Sequence, residues 1–342
     1  MGANDPCELD LIDWIRSHSQ DFPSSLVKSI GDDCAVFDPR GMSQLAVTTD
    51  MLLENVHFHR ASVSPHFLGR KSLRVNLSDL AAVGASPYAC LLSLGLPTEL
   101  TQEYFQAFMK GFLEDGVHWK VPLMGGDLSR SDTVVVNVTV WGGFETGVPI
   151  WRSQAQDRDA LVLIGDVGLS RLGLEILRGE DCTPLATMAH EHDLVDWAQD
   201  PFRAQCLKAH LLPRPLVETG IWLSENGVVN AMIDVSDGLC SDLLQLALAS
   251  GLMAEIRVDH LPLPEKGWGE ITALEAALDG GEDYALLAAS SEKQLARLGS
   301  TYPSEFPPYR VIGHLSSGKP AVYLNRSGKR EKYQPKGFDH FR

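Results

Sequence analysis

The stretch from Val228 to Ala247 constrains the fold most, because its pattern predicts a strand, an acidic turn and a helix in direct succession. The apolar run Val228–Ile233 predicts a short buried strand that ends at Asp234. Asp237 follows three residues later, Ser236 lies between the two carboxylates, and leucines then recur at helical spacing. This order is common where two carboxylates and a hydroxyl meet a helix N-terminus. Taken alone, the stretch is equally well explained by Ser236 or Asp237 acting as an ordinary N-cap.

The length and the charge of the chain limit the classes of protein to consider. At 342 residues the chain is too long for one ordinary core, which predicts two domains. The formal net charge of -16 argues against a general nucleic-acid binder, which needs a basic surface. An acidic protein can still bind phosphates when divalent cations supply the positive charge.

The sequence predicts a cytoplasmic protein. The first residues lack a basic segment followed by an apolar run, so no signal peptide is expected, and no apolar segment is long enough to span a bilayer. No two cysteines form a C-x-x-C pair, which argues against a zinc site and against a disulfide framework. We expect all six cysteines to be small buried apolar residues: Cys7, Cys34, Cys90, Cys182, Cys206 and Cys240.

Strands and helices alternate along both halves of the chain, which predicts α/β or α+β structure in each. A break near residues 145–155 places the domain boundary so that the domains span 1–148 and 149–342. Residues 69–84 predict a helix, residues 181–200 a loop or irregular helix, and Tyr309–Gly313 the last strand.

Each half also carries a Gly-Gly-acid sequence, which we interpret as a turn in both cases. The first is Gly125-Gly126-Asp127 and the second is Gly280-Gly281-Glu282. The repetition suggests related half-folds.

Six aspartates lie at turns or inside apolar stretches instead of on polar helix faces. They are Asp33, Asp50, Asp79, Asp127, Asp234 and Asp237. Converging carboxylates repel one another and raise their own pKa values unless cations are present, and Mg²⁺ takes carboxylate, water and phosphate oxygens. The chain has no Gly-x-x-x-x-Gly-Lys-Ser/Thr loop, so it is not a P-loop enzyme. The residues themselves predict a magnesium-dependent enzyme that acts on phosphates.

The ordered set of motifs resembles the thiamine-monophosphate kinase family, within the aminoimidazole-ribonucleotide-synthetase-like superfamily. The resemblance covers the chain from about residue 30 to its last residues. The motifs that carry it are Gly31-Asp32-Asp33-Cys34-Ala35, Thr48-Thr49-Asp50, Val75-Asn76-Leu77-Ser78-Asp79-Leu80-Ala81-Ala82, Gly125-Gly126-Asp127, Asp234-Val235-Ser236-Asp237-Gly238-Leu239, Gly280-Gly281-Glu282-Asp283-Tyr284 and Lys336-Gly337-Phe338-Asp339-His340-Phe341.

This resemblance implies a two-domain aminoimidazole-ribonucleotide-synthetase-like fold, with an α/β N-terminal half and an α+β C-terminal half. It implies a homodimer whose N-terminal sheets pack together, with ATP and several Mg²⁺ ions as co-substrate and cofactor. The implied reaction transfers the γ-phosphoryl group of ATP to thiamine monophosphate in thiamine diphosphate biosynthesis. No nucleic-acid or membrane partner is expected.

The resemblance also implies roles for individual residues. Asp79 and Asp237 would be catalytic. The metal ligands would be Asp33, Thr49, Asp50, Asp79, Asp127, Asp234 and Asp237. The ATP-binding residues would be Gly126, Asp127, Arg152 and Ser236. The thiamine end would meet His57, Glu282 and Phe338.

Some of these residues also have simpler explanations. His57 alone would be a structural histidine, Arg152 alone would form an ion pair at a domain boundary, and Phe338 alone would anchor the tail. The other histidines singled out, including His210, are expected to be surface or structural residues.

The chain departs from the family pattern at two places. The family turn Ser/Thr-Arg-Ser-Gly-Ala-Lys-Pro-Gly-Asp is replaced by the segment 151–159, in which Arg152 remains but both glycines and the lysine are lost. Asn55 replaces a glycine that usually lies two residues before His57. The alternatives are a superfamily enzyme that uses ATP on another acceptor and a non-catalytic nucleotide-binding protein on the same scaffold. No matched acid is lost, which favours an enzyme.

Overall fold

The computed structural model describes residues 44–338, together with short segments at 14–15, 17–18, 26–28 and 36–37. The predicted metal ligand Asp33 lies outside the described residues, and so do Cys7 and Cys34. The chain divides into two compact units. Within the described residues, the first comprises the chain up to Leu77, Ser86–Glu145 and Asp181–Trp197, and the second comprises Ser78–Ala85, Thr146–Glu180 and the chain from Ala198. The domain boundary at 148/149 stays a prediction.

The first unit is built on a four-stranded sheet in the order β3-β6-β4-β5, in which only β4 and β5 pair in parallel. The first two strands form a separate antiparallel pair. The strands are β1 (Leu26–Lys28), β2 (Val36–Phe37), β3 (Gln44–Leu53), β4 (Ser86–Leu96), β5 (Leu123–Arg130) and β6 (Val135–Phe144). Two long helices accompany them, α1 (Pro65–Val83) and α2 (Gln102–His118). Their buried aromatic residues, Phe67, Phe108 and Phe112, supply much of the apolar core of this unit.

The second unit is built on a seven-stranded sheet in the order β13-β12-β9-β11-β7-β10-β8, in which β12 and β9 pair in parallel and all other neighbours are antiparallel. The strands are β7 (Ala160–Ile164), β8 (Ala231–Val235), β9 (Leu252–Arg257), β10 (Ala285–Ser290), β11 (Tyr309–Ser317), β12 (Ala321–Arg326) and β13 (Lys329–Tyr333). The helices that follow α2 are α3 (Leu169–Arg178), α4 (Glu191–Ala198), α5 (Pro201–Leu211), α6 (Val217–Asn226), α7 (Leu239–Ser250), α8 (Ala273–Asp279) and α9 (Glu292–Thr301). Of these, α4 belongs to the first unit up to Trp197, and the others belong to the second unit. Leucines of α7 join β8, β9 and β10 in one apolar core.

The strand, turn and helix predicted around Asp234 are present, and the alternative in which Ser236 or Asp237 is the N-cap does not hold. Strand β8 continues to Val235, and the N-cap of α7 is Gly238, at φ 120° and without a side-chain cap. Asp242 supplies the missing acceptor from inside the first turn, because its Oδ2 accepts the backbone N–H groups of Asp237 and Gly238, both at 3.1 Å. The acid that satisfies the helix N-terminus therefore lies after the turn.

Three other expectations about the elements need correction. The segment 181–200 contains a regular helix, α4, after a short 3-10 helix at Thr183–Thr187. Strand β11 is not the last, because β12 and β13 follow as an antiparallel hairpin. The Gly125-Gly126-Asp127 sequence is not a turn, because it lies inside β5.

The two departures from the family pattern have a backbone explanation. Asn55 lies at φ 68°, in the left-handed region where glycine is favoured and asparagine is the next best residue. Arg158, at the position of the last family glycine, has φ 70° and therefore holds a conformation that glycine would adopt without strain. Both positions therefore have a left-handed backbone although neither residue is glycine.

The expectation for the cysteines holds among the described residues. All four described cysteines, Cys90, Cys182, Cys206 and Cys240, are buried and free of disulfides, as predicted. Burial raises the pKa of the Cys206 thiol to about 12, so it is inert as a nucleophile near neutral pH. Among the described helices, none combines the length and the apolar character needed to cross a membrane.

Candidate functional site

In the second unit, three segments that carry predicted site residues are bonded to one another through their backbones. Glu282 donates its N–H to the carbonyl of Ser236 at 2.7 Å, and Tyr284 donates to Val235 at 2.8 Å. The N–H of Phe338 donates to the carbonyl of Asp237 at 3.1 Å. The acidic loop after β8, the Gly-Gly-Glu-Asp loop before β10 and the C-terminal tail therefore form one continuous surface of main chain.

Gly281 permits the first of these contacts. A Cβ atom at this position would lie 2.8 Å from the carbonyl oxygen of Ser236, which is closer than real Cβ contacts allow. The absence of a side chain lets the loop at residues 280–284 approach the loop at 234–238. The second Gly-Gly-acid sequence therefore allows two loops to pack closely against each other.

Asp234 and Asp237 differ in their surroundings. Asp234 is buried, and its Oδ2 accepts the hydroxyl of Ser78 at 2.7 Å, whereas Asp237 is exposed. Ser78 directly precedes Asp79 in the part of α1 that belongs to this unit. One turn of α1 therefore carries both the hydroxyl that contacts Asp234 and the predicted catalytic carboxylate.

Asp242 is a site residue that the sequence analysis did not single out. Burial raises its pKa well above the usual range, and the neighbouring carboxylates of Asp234 and Asp237 raise it further. A sequence signal was available, because an acid in the first turn of a helix commonly accepts backbone N–H groups at the helix start. The neighbouring carboxylates of Asp234 and Asp237 are the source of the negative charge of this loop, and they favour the neutral form of Asp242.

The tail is held by Asp279 at the end of α8. Its Oδ2 accepts the hydroxyl of Tyr333 at 2.5 Å, and its Oδ1 accepts the N–H of Lys336 at 3.0 Å. Phe338 follows, and 49% of the residue's surface is exposed. Arg152, on the turn 151–159, is exposed, and its carbonyl accepts the hydroxyl of Ser250 at 2.9 Å.

In the first unit the predicted metal ligands do not converge. Thr49 and Asp50 lie on β3, at one edge of the four-stranded sheet, and Asp127 lies on β5, at the other edge. The two strands are three strand spacings apart, which is roughly 14 Å for ordinary sheets. One ion cannot contact both positions within a chain. These positions lie at opposite edges of one sheet, and their assignment as metal ligands stays a prediction.

The first unit holds its predicted residues by local contacts. The hydroxyl of Thr49 contacts the Val138 carbonyl at 3.1 Å, and Oδ2 of Asp127 accepts the hydroxyl of Ser129 at 2.9 Å. His57 accepts the backbone N–H of Leu53 at Nδ1, at 2.9 Å. Because a backbone N–H can only donate, the proton of the neutral imidazole must lie on Nε2. Gly126 lies within β5, where a Cβ atom would come 1.7 Å from the Leu92 carbonyl oxygen.

The oxygen donors around Asp234 are of the kind that suits magnesium. Among the described residues, no group of three or more His, Cys, Asp or Glu side chains is arranged to hold a metal ion. Mg²⁺ usually takes only one or two carboxylates and completes its shell with water and substrate phosphates. The carboxylate and hydroxyl oxygens of Asp234, Asp237 and Ser236 are ligands of the kind that it prefers.

Glu282 meets a residue that the sequence analysis had left as surface or structural. Its Oε2 lies 3.2 Å from Nδ1 of His210, and His210 is buried. The next residue, Asp283, accepts the N–H groups of Gly168 at 2.7 Å and of Ser170 at 3.2 Å, at the start of α3. Burial raises the pKa of Asp283 to about 8. The Glu-Asp pair is therefore anchored in the protein interior.

Comparison with known proteins agrees with this arrangement. The N-terminal domain of AIR synthase related proteins matches residues 31–144, and the C-terminal domain matches residues 159–325. The thiamine-monophosphate kinase of Synechococcus elongatus is 35% identical over 318 residues, which is 91% of either chain.

Two solved structures extend the comparison to the fold. A thiamine-monophosphate kinase from Stenotrophomonas maltophilia is similar with a TM-score of 0.77 and 30% identity, over 94% of this chain and 96% of the other. A second structure, described as AaThiL complexed with AMPPCP and TMP, has a TM-score of 0.73 and 31% identity over 98% and 97% of the two chains. These similarities confirm the expected two-domain fold, with α/β and α+β halves. With its acidic motifs and both domains matched over nearly its whole length, the chain belongs to the thiamine-monophosphate kinase family.

Proposed function

We propose that this chain transfers the γ-phosphoryl group of ATP to the phosphate of thiamine monophosphate, producing thiamine diphosphate and ADP. The observation that carries the proposal is the similarity to proteins named thiamine-monophosphate kinase over nine-tenths of the chain. The relative described as bound to AMPPCP and TMP indicates that this fold accepts an ATP analogue and a second ligand together.

The chemistry requires alignment and charge neutralisation more than proton transfer. The acceptor atom is already a phosphate oxygen, so no strong base is needed, and the main barrier is the approach of two anions. Asp79 and Asp237 are the proposed catalytic residues. Their contribution is to fix the positive charge that lets the two phosphate groups meet.

Magnesium is the proposed source of that charge, since bound Mg²⁺ neutralises phosphate oxygens and orients them for in-line transfer. The residues proposed to hold it are Asp33, Thr49, Asp50, Asp79, Asp127, Asp234 and Asp237. The electronegative loop around Asp234, with Asp242 buried beneath it, supports this part of the assignment.

Both substrates have proposed contacts. ATP would meet Gly126, Asp127, Arg152 and Ser236, of which Arg152 brings an exposed guanidinium suited to phosphate. The thiamine end would meet His57, Glu282 and Phe338. Thiamine carries a positively charged thiazolium ring, so a carboxylate and an aromatic ring suit it chemically.

A homodimer is part of the proposal. Strand β3 is an edge of its sheet, and its alternate residues Leu45, Val47 and Met51 are 54%, 68% and 50% exposed. An exposed apolar row on a sheet edge favours association with another sheet. A second copy of this chain presents the same row, which suits the symmetric contact of a dimer. The domain boundary at 148/149 and a cytoplasmic location belong to the same proposal.

The direct test is an assay that measures thiamine diphosphate formed from ATP and thiamine monophosphate, with and without Mg²⁺. Free thiamine and aminoimidazole-pathway substrates serve as parallel acceptors. Product from the monophosphate alone, dependent on Mg²⁺, is the expected result. Binding of ATP without any thiamine diphosphate would contradict the proposal and would favour a superfamily enzyme with another acceptor.

A further inference from the structure

We infer that His210, Ser170 and Asp283 form a closed ring of contacts that holds the Glu282 carboxylate in position for the cationic end of the substrate, and that His210 is the positioning residue. The inference deepens the proposed function and rests on it, because Glu282 has this task only if a thiamine phosphate binds. All four residues lie in the second unit.

The ring closes through consecutive contacts. Nδ1 of His210 lies 3.2 Å from Oε2 of Glu282 and 3.1 Å from the hydroxyl oxygen of Ser170. The backbone N–H of Ser170 donates to Asp283 at 3.2 Å, and Asp283 is the chain neighbour of Glu282. Since an ionised carboxylate can only accept, the contact with Glu282 is favourable when Nδ1 of His210 carries a proton.

The backbone of the loop shows why such support is needed. Glu282 lies at φ 61° and Tyr284 at φ 52°, so two non-glycine residues on either side of Asp283 adopt the left-handed conformation. Residues hold such conformations only where surrounding contacts enforce them, and these residues concentrate at functional sites. The carboxylate of Asp283 enforces the conformation by binding the start of α3 through Gly168 and Ser170.

The Glu282 and His210 side chains differ in their exposure, as expected if His210 positions a carboxylate that binds a ligand. The side chain of Glu282 is 25% exposed, whereas that of His210 is 8% exposed. His210 therefore contacts the carboxylate from the interior, while part of Glu282 faces solvent. A carboxylate fixed in advance loses less conformational freedom when it binds a cation, which strengthens binding of that ligand. The effect should fall on the thiamine phosphate and leave ATP unaffected.

The test compares KM values for the two substrates in the full-length protein. We expect His210→Ala to raise the KM for thiamine monophosphate about tenfold, the effect of one hydrogen bond to a charged group, with the KM for ATP and kcat within about twofold of wild type. His210→Asn should restore most of the loss, because its side-chain amide can donate from nearly the place of Nδ1.

A matched control and a double-mutant cycle identify the cause. His66 is as buried as His210 and is likewise paired with a glutamate, Glu114, at 2.8 Å, but it belongs to the first unit. His66→Ala therefore measures the loss of any buried histidine, and we expect no selective change in the KM for thiamine monophosphate. In a Glu282→Gln background, His210→Ala should add little, because its effect passes through the carboxylate.

The results distinguish a positioning role for His210 from a structural one. Equal rises in both KM values, or additive effects of His210→Ala and Glu282→Gln, would overturn the inference and make His210 structural. If His210→Ala does not fold, Ser170→Ala and His210→Asn report on the same ring, and the absence of a selective KM change in Ser170→Ala would overturn it. A wild-type protein that neither binds nor phosphorylates thiamine monophosphate would overturn the proposed function itself, which distinguishes the two failures.

Discussion

The two Gly-Gly-acid sequences look alike, yet the structure uses them in different ways. Gly125-Gly126-Asp127 lies in the middle of strand β5, where Gly126 makes room for the neighbouring carbonyl of Leu92. Gly280-Gly281-Glu282 lies in a loop between α8 and β10, where Gly281 makes room for the carbonyl of Ser236. In both places a glycine permits a close backbone approach, but only the second brings three predicted site segments together.

The predicted acidic site residues of the two units also have different surroundings. In the second unit, Asp237 shares a loop with Asp234 and lies above the buried Asp242. In the first unit, Asp127 contacts only a nearby serine among the hydrogen bonds described for its side chain, and it lies across the sheet from Asp50. A Gly-Gly-acid sequence therefore marks a close backbone contact, and the surrounding fold determines whether acids gather there.

The largest expected effect separates the two acids. Asp237→Asn, like Asp79→Asn, should lower kcat at least about 100-fold with the fold intact, because it removes a carboxylate that is proposed to hold Mg²⁺ against the phosphates. Asp127→Asn should act mainly through the KM for ATP, about tenfold, as expected for one charged contact. Steady-state kinetics at several Mg²⁺ concentrations, with circular dichroism to check folding, measures both. Normal turnover in Asp237→Asn would remove that residue from the site.

The next effect distinguishes the two glycines. Gly126→Ala should destabilise the protein by about 3 kcal/mol, because its Cβ would lie 1.7 Å from the Leu92 oxygen and would disturb the pairing of β4 with β5. Gly281→Ala, at 2.8 Å from the Ser236 oxygen, should destabilise it by only about 1 kcal/mol but should raise the KM for thiamine monophosphate.

Urea unfolding with kinetics on the same samples checks both glycine variants. Gly125→Ala is the matched control, since the nearest atom to its Cβ would be Leu91 Cδ2 at an ordinary 3.5 Å. Equal losses of stability in all three variants would contradict the distinction.

A smaller effect concerns the tail. Asp279→Asn leaves one acceptor oxygen for the two donors, Tyr333 and Lys336, so the tail should loosen. We expect faster hydrogen exchange at the amide of Phe338 and a rise of about threefold in the KM for thiamine monophosphate, which corresponds to part of one hydrogen bond. Tyr333→Phe removes one of the two contacts and should give an intermediate exchange rate. An unchanged rate in Asp279→Asn would show that the tail is held elsewhere.

A further prediction is a pH dependence of stability that belongs to the second unit. Burial raises the pKa of Asp283 from 3.8 to about 8, so the folded protein binds this proton more tightly than the unfolded chain. The stability that this group contributes is therefore fully present below about pH 4 and is lost as the pH rises toward about 8. Urea unfolding between these limits should show a shallower decline in Asp283→Asn than in wild type. Parallel curves would contradict the assignment.

Much of the fold followed from local patterns. The apolar runs placed β7 and the body of α1, and the Asp234–Asp237 spacing placed an acidic loop between β8 and α7. These features depend on residues close in sequence, where the period of apolar side chains and the position of turn residues are direct signals. Even there, the boundaries and the N-cap differed, because Asp242 and not Ser236 satisfies the start of α7.

The sequence by itself determined the set of acids, the phosphate chemistry that they suit and the family that shares them. Only the tertiary structure decided which of those residues meet: Ser78 contacts Asp234 across 156 residues, and His210 on α5 contacts Glu282 in the loop before β10. It also separated Asp50 from Asp127 on opposite edges of one sheet. Such contacts depend on the order of the strands and on how distant segments pack. The local periodicity of apolar residues does not specify either of these.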